Sequence, residues 1–137
     1  MRAGDIMRRD VRTTGPDATV EEVAAILAEA SFSGLPVVDD EGRVVGMVTE
    51  ADLLARAKRL NLPKFFPFLG GVIYLEHPRR FEEELRKATA ARVRDVMTTD
   101  VVTVTEDAPL EEVATLLVER GINRLPVVRE GRLVGII

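Results

Sequence analysis

The chain has 137 residues, of which 46% are hydrophobic, so it can bury one core but is too short for several independent domains. It contains no cysteine, which excludes a disulfide framework and thiolate redox chemistry and fits a cytoplasmic location. The net charge of −4 is unevenly spread, because residues 56–94 hold ten Lys and Arg against four Glu.

The sequence repeats itself with an offset of 90 residues. Residues 5–11 read Asp-Ile-Met-Arg-Arg-Asp-Val and return at 95–101 as Asp-Val-Met-Thr-Thr-Asp-Val, and the Leu-Pro-Val-Val of 35–38 returns at 125–128. Each unit alone would be marginal, so we expect the two copies to pack on each other with pseudo-two-fold symmetry. The organisation predicted is repeat one over 1–60, an aromatic and basic connector over 61–92, and repeat two over 93–137.

In chain order, repeat one predicts a helix, a hairpin and a second helix. A Thr19-x-x-Glu capping box opens the first helix, whose apolar stripe continues to near Gly34. Two β-branched runs at 35–39 and 44–49, joined by a glycine turn, predict the hairpin. The second helix is expected from 51 to about 60.

The connector differs from both repeats. Its apolar and aromatic stretch at 65–75 is interrupted by Pro and Gly and is too short to span a bilayer. From Arg79 onward the apolar spacing indicates a helix. The stretch fits a clasp over the module's own apolar surface, or a dimer or partner-docking surface. Membrane or nucleic-acid contact is the weakest interpretation, because three Glu at 82–84 interrupt the basic patch.

Repeat two follows the same pattern, with a helix opening at Pro109. With a short strand before each first helix, each unit reads β-α-β-β-α. We therefore expect an α/β fold of two such repeats plus a partly helical connector. Repeat two is expected to be incomplete at its C-terminal end, because Ile137 aligns with Val48, inside a strand.

Enzymatic function has little support in the sequence. His77 is the sole histidine, and without cysteine no second ligand of that kind completes a metal site. The chain has neither a Gly-x-Ser-x-Gly elbow nor a Gly-x-x-x-x-Gly-Lys-Ser/Thr phosphate loop. An enzyme is therefore the weakest alternative, and we assign no catalytic or metal-binding residue.

The repeated motifs carry a family resemblance. Asp-Ile-Met, then Leu-Pro-Val-Val-Asp, then Gly-Arg-Val-Val-Gly-Met-Val-Thr-Glu-Ala-Asp-Leu resemble the cystathionine β-synthase (CBS) domain, and the second copy resembles it as well. The tandem pair is similar to a Bateman module. The resemblance implies a regulatory, non-catalytic module that binds AMP, ADP, ATP or S-adenosylmethionine between the repeats and requires no cofactor. It also implies a homodimer and an effector protein as a further partner. A partner-docking or nucleic-acid-binding module stays open as the alternative.

By this resemblance, the main cleft joins a Thr-x-x-Asp pair of repeat one to three segments of repeat two. Its ligand-binding residues would be Thr49, Asp52, Met97, Asp100, Val101, Ile122, Asn123, Arg124 and Pro126. The carboxylate of Asp52 can accept hydrogen bonds from ribose hydroxyls, and Arg124 can contact phosphate. Thr49 can hold a phosphate together with helix N-terminal amides, and Val101 and Ile122 can sandwich adenine.

A second, incomplete cleft is expected at the pseudo-equivalent position. Its residues would be Met7, Asp10, Val11, Phe32, Ser33, Gly34 and Pro36. It lacks a match to Thr49, which would follow Ile137, and Gly34 stands where the main cleft has Arg124.

The same residues also have plain structural interpretations. Thr49 and Asp52 equally form a helix capping box, which needs only one carboxylate oxygen. Arg124 fits an ordinary solvated charge, and the two methionines of the Asp-x-Met motifs fit core positions. The Leu-Pro pairs fit strand starts.

Overall fold

A computed structural model describes residues 1–30, 33–59 and 91–137. The 65–75 stretch, the helix predicted from Arg79, His77 and Phe32 lie outside these residues. The described helices are α1 (Ala3–Ile6), α2 (Val20–Ala30), α3 (Glu50–Arg59), α4 (Val93–Val96) and α5 (Leu110–Arg120). The described strands are β1 (Gly34–Val38), β2 (Val44–Thr49), β3 (Val104–Thr105), β4 (Pro126–Arg129) and β5 (Arg132–Ile136).

Each repeat contains the predicted antiparallel hairpin. β1 pairs with β2, and β4 pairs with β5. Gly42 and Gly131 take positive φ angles of 81° and 82° in the two turns, a conformation that side chains other than glycine rarely adopt. The short strand expected before the first helix is β3 in repeat two, parallel to β4. In repeat one it is reduced to a single parallel bridge between Thr14 and Val37.

The helices predicted at Thr19, at 51 and at Pro109 are present, with small shifts at their ends. At the start of α2, the Glu22 amide donates to the Thr19 hydroxyl at 3.2 Å, so the capping box is confirmed. α2 ends at Ala30, short of the predicted end near Gly34. α5 follows Pro109 as its N-cap, and its C-cap Gly121 takes the left-handed conformation. None of the helices in the described part of the chain has the length and hydropathy needed to cross a bilayer.

Two hydrophobic cores are built from exchanged segments. The repeat-one core gathers the apolar faces of α2, β1, β2 and α3, and Val93 and Val96 of α4 complete it. The repeat-two core is completed by Ala3 and Met7 from the start of the chain. Because each core needs a segment of the other repeat, the two units fold as one pseudo-symmetric body.

Backbone hydrogen bonds attach these exchanged segments. The amide of Ala3 donates to the carbonyl of Ala108 at 2.8 Å, and the amide of Val93 donates to the carbonyl of Ala18 at the same distance. The repeated use of one contact in both halves is the pseudo-two-fold relation that the sequence repeat predicts.

The segment that follows each short helix then crosses the opposite hairpin. Met47 and Thr98 exchange two backbone hydrogen bonds of 2.9 and 2.8 Å, and Arg8 and Ile136 make the same exchange. A Cβ on Gly46 would lie 2.6 Å from a methionine sulfur and 3.0 Å from the Thr98 carbonyl oxygen. Glycine is therefore required for this close approach, which brings repeat two against the end of β2.

Candidate functional site

A cavity of about 460 Å³ lies at the seam between the two repeats. Repeat one contributes the end of β2, the start of α3 and Ser33, while repeat two contributes Thr98, residues 100–102 and 121–124, and Pro126. Of the residues predicted for the main cleft, the cavity is lined by Thr49, Asp100, Val101, Ile122, Asn123, Arg124 and Pro126. Its volume lies within the range of small-molecule sites.

Asp52 lies in the first turn of α3, three residues after Thr49, and its carboxylate accepts hydrogen bonds from both repeats. One oxygen, Oδ2, accepts the Thr49 amide at 2.8 Å and the Thr49 hydroxyl at 3.0 Å. The Asp52 amide donates in return to the Thr49 hydroxyl at 3.2 Å, which completes the capping box of α3. The other oxygen, Oδ1, accepts the hydroxyl of Thr98 from repeat two at 3.3 Å. The cap thus uses Oδ2 alone and leaves Oδ1 directed at the seam.

Thr98 is a cavity residue that the sequence analysis missed. It lines the cavity and joins Asp52 across the repeats, whereas its predicted neighbour Met97 packs against the repeat-one core. Thr98 lies between Met97 and Asp100 in the sequence, and this position within the predicted ligand-binding segment was the signal that could have identified it. Arg8 is its pseudo-equivalent, since both make the same backbone exchange with the opposite hairpin.

Ser33 belongs to the main cavity in the structure, although the sequence assigns it to the second cleft. It lines the cavity, and its hydroxyl accepts a hydrogen bond from Nε of Arg124 at 3.0 Å. Its carbonyl also accepts the amide of Glu50 at the start of α3. The physical reason is the β1–β2 register, which pairs Gly34 with Thr49 and so places Ser33 beside the start of α3.

The other described residues of the predicted second cleft lie in different surroundings. Met7 is part of the repeat-two core, and Pro36 is fully buried in β1. Gly34 is buried, and a Cβ there would lie 3.0 Å from the Thr49 side chain. Asp10 is exposed, and Val11 borders a separate cavity of about 240 Å³.

A different cavity occupies the pseudo-equivalent side. It measures about 330 Å³ and is lined by Ile6, Arg8, Asn123, Arg124, Ile136 and Ile137. None of the predicted second-cleft residues that the structure describes lines it. Asn123 and Arg124 border this cavity and the main one, so they form a wall between the two.

The chemistry of the main cavity favours an organic ligand with polar and apolar parts. Val101 and Ile122 offer half-buried apolar surface, while Thr49, Asn123 and Arg124 offer hydrogen-bonding groups. Within the described ranges, no three side chains of the His, Cys, Asp or Glu type are grouped to hold a metal ion.

The regions of the chain that match a known protein family coincide with the two repeats. The family model of the CBS domain matches residues 3–59 and again residues 93–137. Inosine-5'-monophosphate dehydrogenase of Methanocaldococcus jannaschii is 35% identical over 137 residues, which cover 99% of this chain. The chain spans only 22% of the length of that dehydrogenase.

Solved structures share the fold along the whole chain. The structure of CBSX2 in complex with AMP superposes with a TM-score of 0.73 at 31% identity, covering 99% of this chain and 88% of CBSX2. The CBS domain pair of protein MJ0100, in complex with 5'-methylthioadenosine and S-adenosyl-L-methionine, gives a TM-score of 0.71 at 26% identity. That match covers 100% of this chain and 88% of the other.

Proposed function

The chain belongs to the CBS domain family as a tandem pair, and from this premise we propose that it is a regulatory module that binds an adenosine-containing ligand in the seam cavity. The candidates are AMP, ADP, ATP and S-adenosylmethionine. CBSX2 is solved in complex with AMP, and the CBS domain pair of MJ0100 with two other adenosyl compounds. A ligand-sensing role without turnover, in the cytoplasm, is part of this proposal, and the ligand-bound structures of CBSX2 and MJ0100 support its ligand-binding part.

The observation that carries the proposal is the composite lining of the cavity. Thr49 comes from repeat one, whereas Val101, Ile122 and Arg124 come from repeat two. A ligand that fills the cavity therefore contacts both repeats and stabilises their arrangement. A ligand that binds one arrangement of the two repeats more tightly than another shifts the protein toward that arrangement. It can thereby change the surface that a partner protein recognises.

We assign the ligand contacts by chemistry. Oδ1 of Asp52 accepts a ribose hydroxyl, because the helix cap does not use that oxygen and the Thr98 hydroxyl occupies only one of its two lone pairs. Val101 and Ile122 pack on the two faces of adenine, and backbone groups of their segments read its edge. Arg124 turns from Ser33 to a phosphate oxygen, which exchanges a neutral acceptor for a charged one.

We further propose that the protein forms a homodimer. α5 exposes Val118 by 81% and Leu110 by 39%, so its outer face keeps apolar surface in water. An effector protein would then meet the assembled dimer, and its contact would depend on the ligand.

The test is a calorimetric titration of the protein with adenosine, AMP, ADP, ATP and S-adenosylmethionine. We expect saturable binding of at least one of them, with no chemical change of the ligand on incubation. A ligand at one hundred times its Kd should also raise the free energy of unfolding by about 2.7 kcal/mol. Absence of binding by every adenosyl compound, at concentrations up to the millimolar range, would contradict the proposal.

A further inference from the structure

The main cavity carries an excess of carboxylates. Glu50 and Asp100 line it, and Asp52 is hydrogen-bonded to the lining residue Thr49. Arg124 is the one guanidinium in the described lining. The described part of the lining therefore presents more negative than positive charge to a ligand, and Glu50 and Asp100 are both exposed.

Three backbone amides at the start of α3 are already engaged within the protein. A helix N-terminus attracts phosphate through its unpaired amides and its positive dipole end. Here the amide of Thr49 donates to Asp52, the amide of Asp52 donates to Thr49, and the amide of Glu50 donates to the carbonyl of Ser33. Two acidic residues, Glu50 and Asp52, also lie in the first turn and offset the dipole.

The guanidinium of Arg124 also makes a hydrogen bond within the protein. Arg124 donates from Nε to the hydroxyl of Ser33 at 3.0 Å, and it forms part of the wall shared with the second cavity. When the Arg124 side chain turns from Ser33 to the ligand, its one positive charge can balance the negative charge of one phosphate group. A second and a third phosphate would have to lie near Glu50 or Asp100 in the lining.

We infer that the main cavity selects adenosyl ligands with at most one phosphate group: the nucleoside, its monophosphate, or a compound with a sulfonium at the 5' position. The inference rests on the proposed function and narrows its ligand class. Nucleoside di- and triphosphates are discriminated against by like charge and by the engagement of the Thr49, Glu50 and Asp52 amides within the protein. The discrimination decreases as salt rises, since exposed charges are screened.

The experiment measures competition against a fluorescent adenosine analogue, so that every ligand reports on one shared site. Adenosine, AMP, ADP and ATP are compared without divalent cations, and each Kd is divided by the adenosine Kd of the same variant. The variants are Glu50→Gln, Asp100→Asn and the double substitution, which keep side-chain shape and remove charge. Asp107→Asn is the matched control, because that carboxylate is 87% exposed and pairs with Arg2 away from the cavity.

In the unaltered protein we expect ATP to bind about tenfold more weakly than AMP, since each exposed charge pair changes affinity by about two- to fivefold. The double substitution should reduce that ratio to about two, and Asp107→Asn should leave it unchanged. Equal or tighter binding of ATP, or a ratio that the double substitution does not move, overturns the inference. Lack of saturable binding by adenosine, AMP, ADP and ATP, and by S-adenosylmethionine in the same assay, overturns the proposed function itself, which keeps the two failures distinct.

Discussion

Replacement of Asp52 by Ala tests both roles of this carboxylate at once. The change removes the acceptor of the Thr49 amide and hydroxyl, and with it the capping box of α3, which is worth about 1 kcal/mol. It also removes the bond from Thr98, whose net contribution is about 0.5–1.5 kcal/mol. We expect the free energy of unfolding to fall by about 2 kcal/mol.

The same substitution should weaken every adenosyl ligand. A lost hydrogen bond to a charged acceptor costs about 1.5–3 kcal/mol, or roughly ten- to a hundredfold in Kd. Adenosine itself should be affected, because the proposed contact is to ribose and not to phosphate. Urea unfolding gives the stability change, and calorimetric titration with adenosine gives the change in affinity.

Glu22→Ala is the matched control. Glu22 and Thr19 form the equivalent capping box of α2, with an amide-to-carboxylate distance of 3.4 Å and a return bond of 3.2 Å. This pair does not line the seam cavity. The control should therefore lose about 1 kcal/mol of stability and keep its affinity for adenosine. If Asp52→Ala and Glu22→Ala both keep adenosine affinity, the carboxylate of Asp52 is only a helix cap and our reasoning is refuted.

Other substitutions address separate parts of the account. Arg124→Ala should weaken the affinity for AMP by roughly tenfold and leave the affinity for adenosine nearly unchanged. Replacement of the exposed Arg120 by Ala should change neither affinity. Equal losses of affinity for both ligands in calorimetry would exclude a phosphate contact of Arg124. Gly46→Ala should destabilise the fold by about 1–3 kcal/mol in urea unfolding, since its Cβ would lie 3.0 Å from a backbone oxygen. Gly15→Ala, with its closest contact at 3.8 Å, should be tolerated, and equal effects of the two would contradict this packing. Light scattering should give twice the 15.1 kDa chain mass, and Val118→Asp should reduce it to one chain; a monomer before substitution would contradict the dimer.

The hairpins and long helices were predictable because their determinants are local. The capping box at Thr19, the glycine turns and the period of the apolar residues each act within one element. The pairing of the repeats into one fold was predictable because the motifs recur in order. The exchange of α1 and α4 between the cores was not, since helices of four residues carry too few apolar positions to indicate a destination.

More of the residues predicted for the main cleft than of those predicted for the second line one common cavity, for a related reason. The resemblance identified the cavity segments of repeat two, but it assigned Ser33 to the second, incomplete cleft. Ser33 lies in the main cavity because the register of β1 with β2 carries it there, and register depends on pairing over distance. Thr98 was missed because its contact with Asp52 spans 46 residues of sequence.

The central claim is that one adenosyl ligand lies at the seam and contacts both repeats. A crystal structure of the protein grown with AMP tests this most directly. We expect the adenine between Val101 and Ile122, a ribose hydroxyl within hydrogen-bond distance of Oδ1 of Asp52, and the phosphate near Arg124. An AMP molecule bound elsewhere, or one that contacts a single repeat and leaves the seam cavity filled with water, would contradict the account.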